Sequence, residues 1–175
     1  MAKWTIDTMH SEVLFKVKHL VISTVTGSFN RFSAALEADK EDFTDAKVSF
    51  TADIDSIDTN NEQRDGHLKS DDFFNAEKYP QLSFTSTSLE KKSGSDYVLK
   101  GNLTIRDNTK AVELAVDFGG VAKDPYGQTK VGFEATGKIN RKEFGLTWSA
   151  VTEAGGIVVS DEIKLLLNVQ FVKQA

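Results

Sequence analysis

Val131-Gly132-Phe133-Glu134-Ala135-Thr136-Gly137-Lys138-Ile139-Asn140-Arg141 alternates with a period of two. Val131, Phe133, Ala135, Gly137, Ile139 and Arg141 share one phase; Glu134, Thr136, Lys138 and Asn140 share the other. In an extended chain successive side chains point to opposite faces, so this stretch reads as a strand with one apolar and one wet face. The same period recurs outward from it. After it, Ile163, Leu165, Leu167, Val169 and Phe171 are in phase. Before it come Val112 to Phe118, Tyr97 to Ile105, Val48 to Ile54, and Val13, Phe15, Val17 and His19. Weaker alternation covers 3–8, 27–37 and 81–89, which makes eight or nine antiparallel strands.

The breaks between strands are short and polar: Asp39 to Asp42, Lys91 to Ser95, Arg106 to Thr109 and Gly119 to Gln128. One segment, Thr59 to Leu68, abandons the period. Asn60 followed by Gln63 reads as an N-cap with a capping-box partner, which predicts a short helix after residue 58. A further turn fits Ser70 to Ala76, before Tyr79-Pro80. Strands of roughly nine to thirteen residues are long against a usual five or six. Sequential hairpins favour an up-and-down meander, and closure removes its exposed edges. The pattern therefore favours an all-β, up-and-down antiparallel barrel of about eight strands over a two-sheet sandwich, in a single domain covering 1–175.

Composition narrows the chemistry. The 175 residues contain no cysteine, which excludes disulfides, thiolate metal sites and a thiol nucleophile. Net charge is −5 and the basic residues are not expected to cluster, so no nucleic-acid partner is expected. Twelve Phe against two Trp and three Tyr supply bulk without hydrogen-bonding groups, as an apolar core or pocket requires. The start, Met1 to Asp7, has no signal-peptide core; the chain is expected to be cytoplasmic, or periplasmic if it is a processed form.

With 3–8 running up, 12–19 down and each later strand reversing, the long connections 55–80 and 142–160 fall at one end. His19 and Arg141 fall there too, in phase with the inner faces. Arg64, Asp65 and His67 come from the helix at that end, and Phe144 and Trp148 follow Arg141. The bland reading is that each charge pairs or caps a backbone group, because a buried charge must be matched; the functional one is that this rim binds a ligand's polar head, the fork of Arg64 or Arg141 holding two oxygens. Arg64 and Asp65 point about 100° apart on a helix, which predicts different partners. His10, His19 and His67 lack the spacing that sets two ligands on one element, so no metal site is expected. Asp65 and His67 as acid and base would lie on adjacent turns and not converge. No glycine pair joins a strand to a helix, so no phosphate loop is expected. The inner faces, including Val13, Phe15, Val17, Phe50, Phe84, Leu103, Leu114, Phe133, Leu165 and Val169, suit either a tunnel for an apolar ligand or a solid core.

Ordered motifs run through the chain. They are Trp4-Thr5-Ile6-Asp7 with His10-Ser11, Phe15 to His19, and Gly27-Ser28-Phe29. Ser56 to Asn61 follows, with Arg64-Asp65-Gly66-His67-Leu68, Phe73-Phe74 and Tyr79-Pro80. Phe84 to Thr87, Gly101 to Ile105 and Arg141 to Leu146 with Trp148 complete the set. On these motifs the chain resembles the YceI-like family of polyisoprenoid-binding proteins over nearly its whole length. The one departure is Asp107-Asn108, where the family usually turns on a Gly. The resemblance implies a lipocalin-like barrel that holds a polyisoprenoid or other long-chain lipid for storage or transport. It also implies a homodimer, no cofactor and no catalysis. The alternative is an enzyme acting on a small apolar or lipid substrate inside the barrel.

Overall fold

The computed structural model describes residues 1–20, 22–149 and 159–175. Its strands are β1 (Ala2–Ile6), β2 (Glu12–His19), β3 (Ser23–Phe29), β4 (Phe32–Ala38), β5 (Lys47–Asp53), β6 (Ile57–Asp58), β7 (Gln81–Ser93), β8 (Asp96–Ile105), β9 (Asn108–Lys123), β10 (Thr129–Asn140) and β11 (Val159–Lys173). Helix α1 (Glu62–Lys69) lies between β6 and β7. Every pairing is antiparallel, and the sheet closes because β1 bonds both β4 and β11. Neighbours in the sheet are mostly neighbours in sequence, as an up-and-down barrel requires.

Two strands of the barrel wall are bent in the middle. β1 pairs with the Phe171–Lys173 end of β11 and β2 with its earlier residues, both antiparallel. β1 and β2 therefore run in the same direction, joined by one 3₁₀ turn, Thr8–His10. β3 and β4 mirror them across the break at Asn30-Arg31, one bonding β2 and the other β1. The wall thus has eight staves. This corrects the expectation that 3–8 and 12–19 run in opposite directions. A polar break of a few residues looks alike in sequence whether the chain reverses or only kinks. It also places His10 in the middle of a stave.

Asp7 holds that kink. Its carboxylate, 15 % exposed, accepts from Met9 N, His10 Nδ1 and, at 2.9 Å, Lys130 Nζ on β10. Burial alone would raise the Asp7 carboxyl, but hydrogen bonds and attraction from Lys130 and His10 outweigh it and hold it at about 2. The native pKa lies below the unfolded value of 3.8, so the group stabilises the fold above that value and stops doing so as pH falls through about 2. Asp7→Asn should cost about 1 kcal/mol at neutral pH, solvent screening keeping it below the roughly 2 kcal/mol of the full shift. Urea melts should show the two proteins converging toward pH 2; a difference independent of pH would contradict this role.

Two boundaries move. The helix N-cap is Asn61, whose side chain accepts from Arg64 N, and not Asn60, which takes a left-handed φ of 61° and delays helix entry. β9 continues past Gly119, which is skipped between the Phe118–Phe133 and Gly120–Gly132 pairs as a bulge. The reversal comes at 124–128, where the Asp124 carboxylate accepts from Tyr126 N and Gln128 N.

The barrel end bearing the β4–β5 connection is closed. Residues 39–46 fold inward, the Asp45 carboxylate accepting from Asp39 N and Lys40 N. Phe43 is driven into the barrel at a left-handed φ of 60°. Its ring lies 5.4 Å from Trp4, 5.6 Å from Phe118 and 5.8 Å from Phe133, and Tyr97 Oη donates to Asp42 O. Aromatic rings at such separations fill an apolar end, with Trp4 Nε1 buried there without a hydrogen-bond partner among the described residues.

Candidate functional site

Below that aromatic floor the interior is empty. A cavity of about 620 Å³ runs from Phe133, Phe171 and Leu36 to the opposite rim. This is within the roughly 300–1,000 Å³ usual for small-molecule sites. The staves' inward phases make its wall. Val13, Phe15 and Val17 of β2, Phe50 of β5, Phe84 of β7, Leu103 of β8, Leu114 of β9, Phe133 of β10 and Leu165 and Val169 of β11 all border it. Glycines keep the wall thin where a bulky neighbour lies flat. Phe15 covers Gly27, Phe84 covers Gly101 and Leu114 covers Gly137, each so closely that a Cβ would collide. The interior is therefore a tunnel and not a solid core.

The open end gathers the polar groups. His19, Arg64, His67, Arg141 and Trp148 border the cavity there. Asp65 and Phe144 do not. Phe144 is fully buried in the packing beneath the rim, because the 3₁₀ turn Arg141–Phe144 points it away from the lumen. Asp65 turns back to accept from Thr59 N and Thr59 Oγ1. Arg64 also binds Thr59, Nε donating to Oγ1 at 2.8 Å and Nη2 to the carbonyl at 2.6 Å. The expectation of different partners fails because Thr59, just before the helix, offers donors to the carboxylate and acceptors to the guanidinium. A long arginine side chain reaches back around the helix turn to meet it.

Arg141 is the least exposed charge in the described residues, at 2 %. Nη1 donates to Leu146 O at 2.6 Å and Trp148 O at 2.7 Å, Nε to Ser160 O and Nη2 to Val159 O. Burial pushes its pKa down, and the Asp161 carboxylate at 3.7 Å opposes that. With four carbonyls satisfied, this guanidinium ties the 141–148 segment to the start of β11 and has no fork to spare for a ligand. Arg64 differs: its Nη1 makes no hydrogen bond among the described residues.

His67 Nε2 and an Asp72 carboxylate oxygen are 2.8 Å apart, and the imidazole stands edge-on to Phe73 and Trp148 at 5.1 and 4.9 Å. His10 is on Asp7, far from the mouth along the stave. Among the described residues no three His, Asp or Glu side chains are placed to hold a metal ion. The 150–158 part of the expected 142–160 connection lies outside the described residues. Sequence reading missed two features of the site. Phe43 shows no period, sitting alone among acidic residues. Arg106 takes a left-handed φ of 56° and donates to Asp71 O and Phe73 O, latching the segment after α1 to the β8–β9 hairpin.

A family model for the YceI-like domain matches residues 4–171. A UPF0312 protein of Staphylococcus aureus strain USA300 is 37 % identical over 172 residues, 98 % of each chain. The crystal structure of a Campylobacter jejuni YCEI protein is 37 % identical, covers 90 % of each chain and superposes with a TM-score of 0.76. A polyisoprenoid binding domain from Saccharophagus degradans, implicated in plant cell wall breakdown, is only 13 % identical yet covers 98 % of each chain at a TM-score of 0.73. That last likeness is one of fold. With a family model spanning all but its ends and relatives over a third identical along almost their full length, the chain belongs to the YceI-like family.

Proposed function

We propose that this protein binds one long isoprenoid chain in its tunnel without chemical change, holding it for storage or transport. The observation that carries the reading is an apolar cavity closed by aromatic rings at one end, with its polar groups confined to the other. Such a site excludes water from an unbranched or methyl-branched tail. Each buried CH₂ contributes about 0.8 kcal/mol, so affinity grows with chain length. A relative of the same fold is described as a polyisoprenoid binding domain, which supports the ligand class. Catalysis on the tail would need acid and base groups converging deep in the tunnel. The described wall there is Val, Leu, Ile, Phe and Ala.

The head group is read at the mouth by Arg64, whose Nη1 can donate to an anionic oxygen. Titration of geranylgeraniol and geranylgeranyl phosphate tests both parts. The protein should bind both. Arg64→Ala should weaken the phosphate by roughly tenfold and the alcohol far less, about 1.4 kcal/mol of difference. Comparing two ligands on one variant removes any loss from damaged folding. Equal losses would sink the head-group role, and failure of the unaltered protein to take up either ligand would sink the function.

A further inference from the structure

Between β2 and β3 the described residues Leu20 and Ile22 are both aliphatic. Tight turns favour Gly, Asn, Asp and Ser, which tolerate left-handed backbone or bond their own chain. Leu20 takes φ 55° without either advantage, and Leu20 and Ile22 are 40 % and 86 % exposed. The β7–β8 and β9–β10 reversals, by contrast, use Gly94 and Asp124 to Gly127. Apolar side chains that depart from turn chemistry, with Ile22 left almost fully in solvent, point to a partner outside the fold. Leu20 directly follows His19, which borders the cavity mouth.

The outer wall behind this connection is basic. Register places Lys138 of β10 opposite Lys164 of β11, and Lys164 opposite Lys16 of β2. Lys18 follows in the same phase, nearer the β2–β3 connection, and also borders the cavity mouth. Like charges directly opposed across strands destabilise a sheet, so this row is not there for the barrel. Lys138 has Glu162 at 3.8 Å, and Lys142 shares Asp161 with Arg141. Lys18 Nζ donates to Thr24 Oγ1, and among the described residues Lys16, Lys18 and Lys164 form no ion pair. At about 3.3 Å per residue, Lys18 and Lys16 lie roughly 7 and 13 Å behind Leu20. The acidic groups of this end are Asp161 and Glu162 of β11, Glu62 and Asp65 of α1, which begins beside β3 through β6, and Asp71 and Asp72 of the turn after it. Arg106 fastens that turn to the end of β8, on the opposite side of the barrel from β2.

We propose that Leu20 and Ile22, with the adjoining lysines, dock the barrel, mouth first, on an anionic lipid bilayer. The apolar side chains enter the bilayer boundary and the lysines meet head-group phosphates. The purpose rests on the isoprenoid reading: an apolar chain can then pass from bilayer to tunnel without crossing water.

Co-sedimentation of the full chain with phosphatidylcholine vesicles containing about 30 % phosphatidylglycerol tests this, and salt should release the bound protein. Leu20→Ser with Ile22→Ser, and separately Lys16→Gln with Lys164→Gln, should each lower vesicle partitioning by roughly tenfold, as should omission of the anionic lipid. Lys92→Gln, at the closed end, should change nothing. Absence of binding, or binding indifferent to both double variants, overturns the proposal. So does a Leu20→Ser, Ile22→Ser variant that changes only the molecular mass measured without vesicles, because a second copy of the chain then covers these side chains. Vesicle binding that persists while no prenyl ligand is taken up would remove the isoprenoid reading and leave the docking surface standing.

Discussion

Arg141→Met should lower stability by about 3–5 kcal/mol, a large part of the roughly 5–15 kcal/mol available to a domain of this kind. The side chain is 2 % exposed and its nitrogens satisfy the carbonyls of Leu146, Trp148, Val159 and Ser160. Removing it leaves those acceptors in an apolar setting, each costing on the order of 1–3 kcal/mol if water cannot reach it. Lysine should rescue little, since one ammonium lacks the planar fork that spans four acceptors. Urea denaturation of Arg141→Met and Arg141→Lys checks this. A loss under about 1 kcal/mol for either would mean the carbonyls find other donors.

Gly27→Ala should weaken a long prenyl ligand by at least roughly tenfold, about 1.4 kcal/mol, while leaving the barrel folded. Gly27 lies opposite Phe15 in register, and the Phe15 ring covers the space a methyl would take. The ring cannot slide sideways freely, because Phe29 stands 5.6 Å away. It must swing into the lumen it now borders and narrow the tunnel near the mouth. Adding Phe15→Ala to Gly27→Ala should restore uptake, which a general loss of folding would not allow. Titration of a fluorescent prenyl alcohol against the single and double variants reads the effect. Unchanged affinity in the single variant would show that the ring moves elsewhere.

The lumen was legible because alternation reports side-chain direction regardless of which way a strand runs. Val13, Phe15 and Val17 would face inward on any stave running up or down, and Leu165 and Val169 likewise. The helix after residue 58 was legible from its loss of period and its Asn cap, although the cap lies one residue later than expected. The polar rim was legible only as a gathering. That Arg64 and Asp65 share Thr59 depends on a reach back around a helix turn, which spacing alone does not encode. The four carbonyls around Arg141 depend on where a separate segment returns.

The lysine row marks the same boundary most plainly. Lys16, Lys138 and Lys164 form no run along the chain, and the net charge of −5 hides them. Strand register alone sets them side by side. Phe43 plugs the closed end behind Phe133 only because the β4–β5 loop folds inward against Trp4 and Phe118. Which face each strand buries, and that the chain makes long antiparallel strands around an apolar interior, followed from the residues in order, because those properties are set by each residue's own backbone and its near neighbours. Direction through a kink, the partners of a buried charge and the charge of an outer wall arise from segments far apart in sequence, and they took form only when the barrel closed and fixed which strand lies beside which.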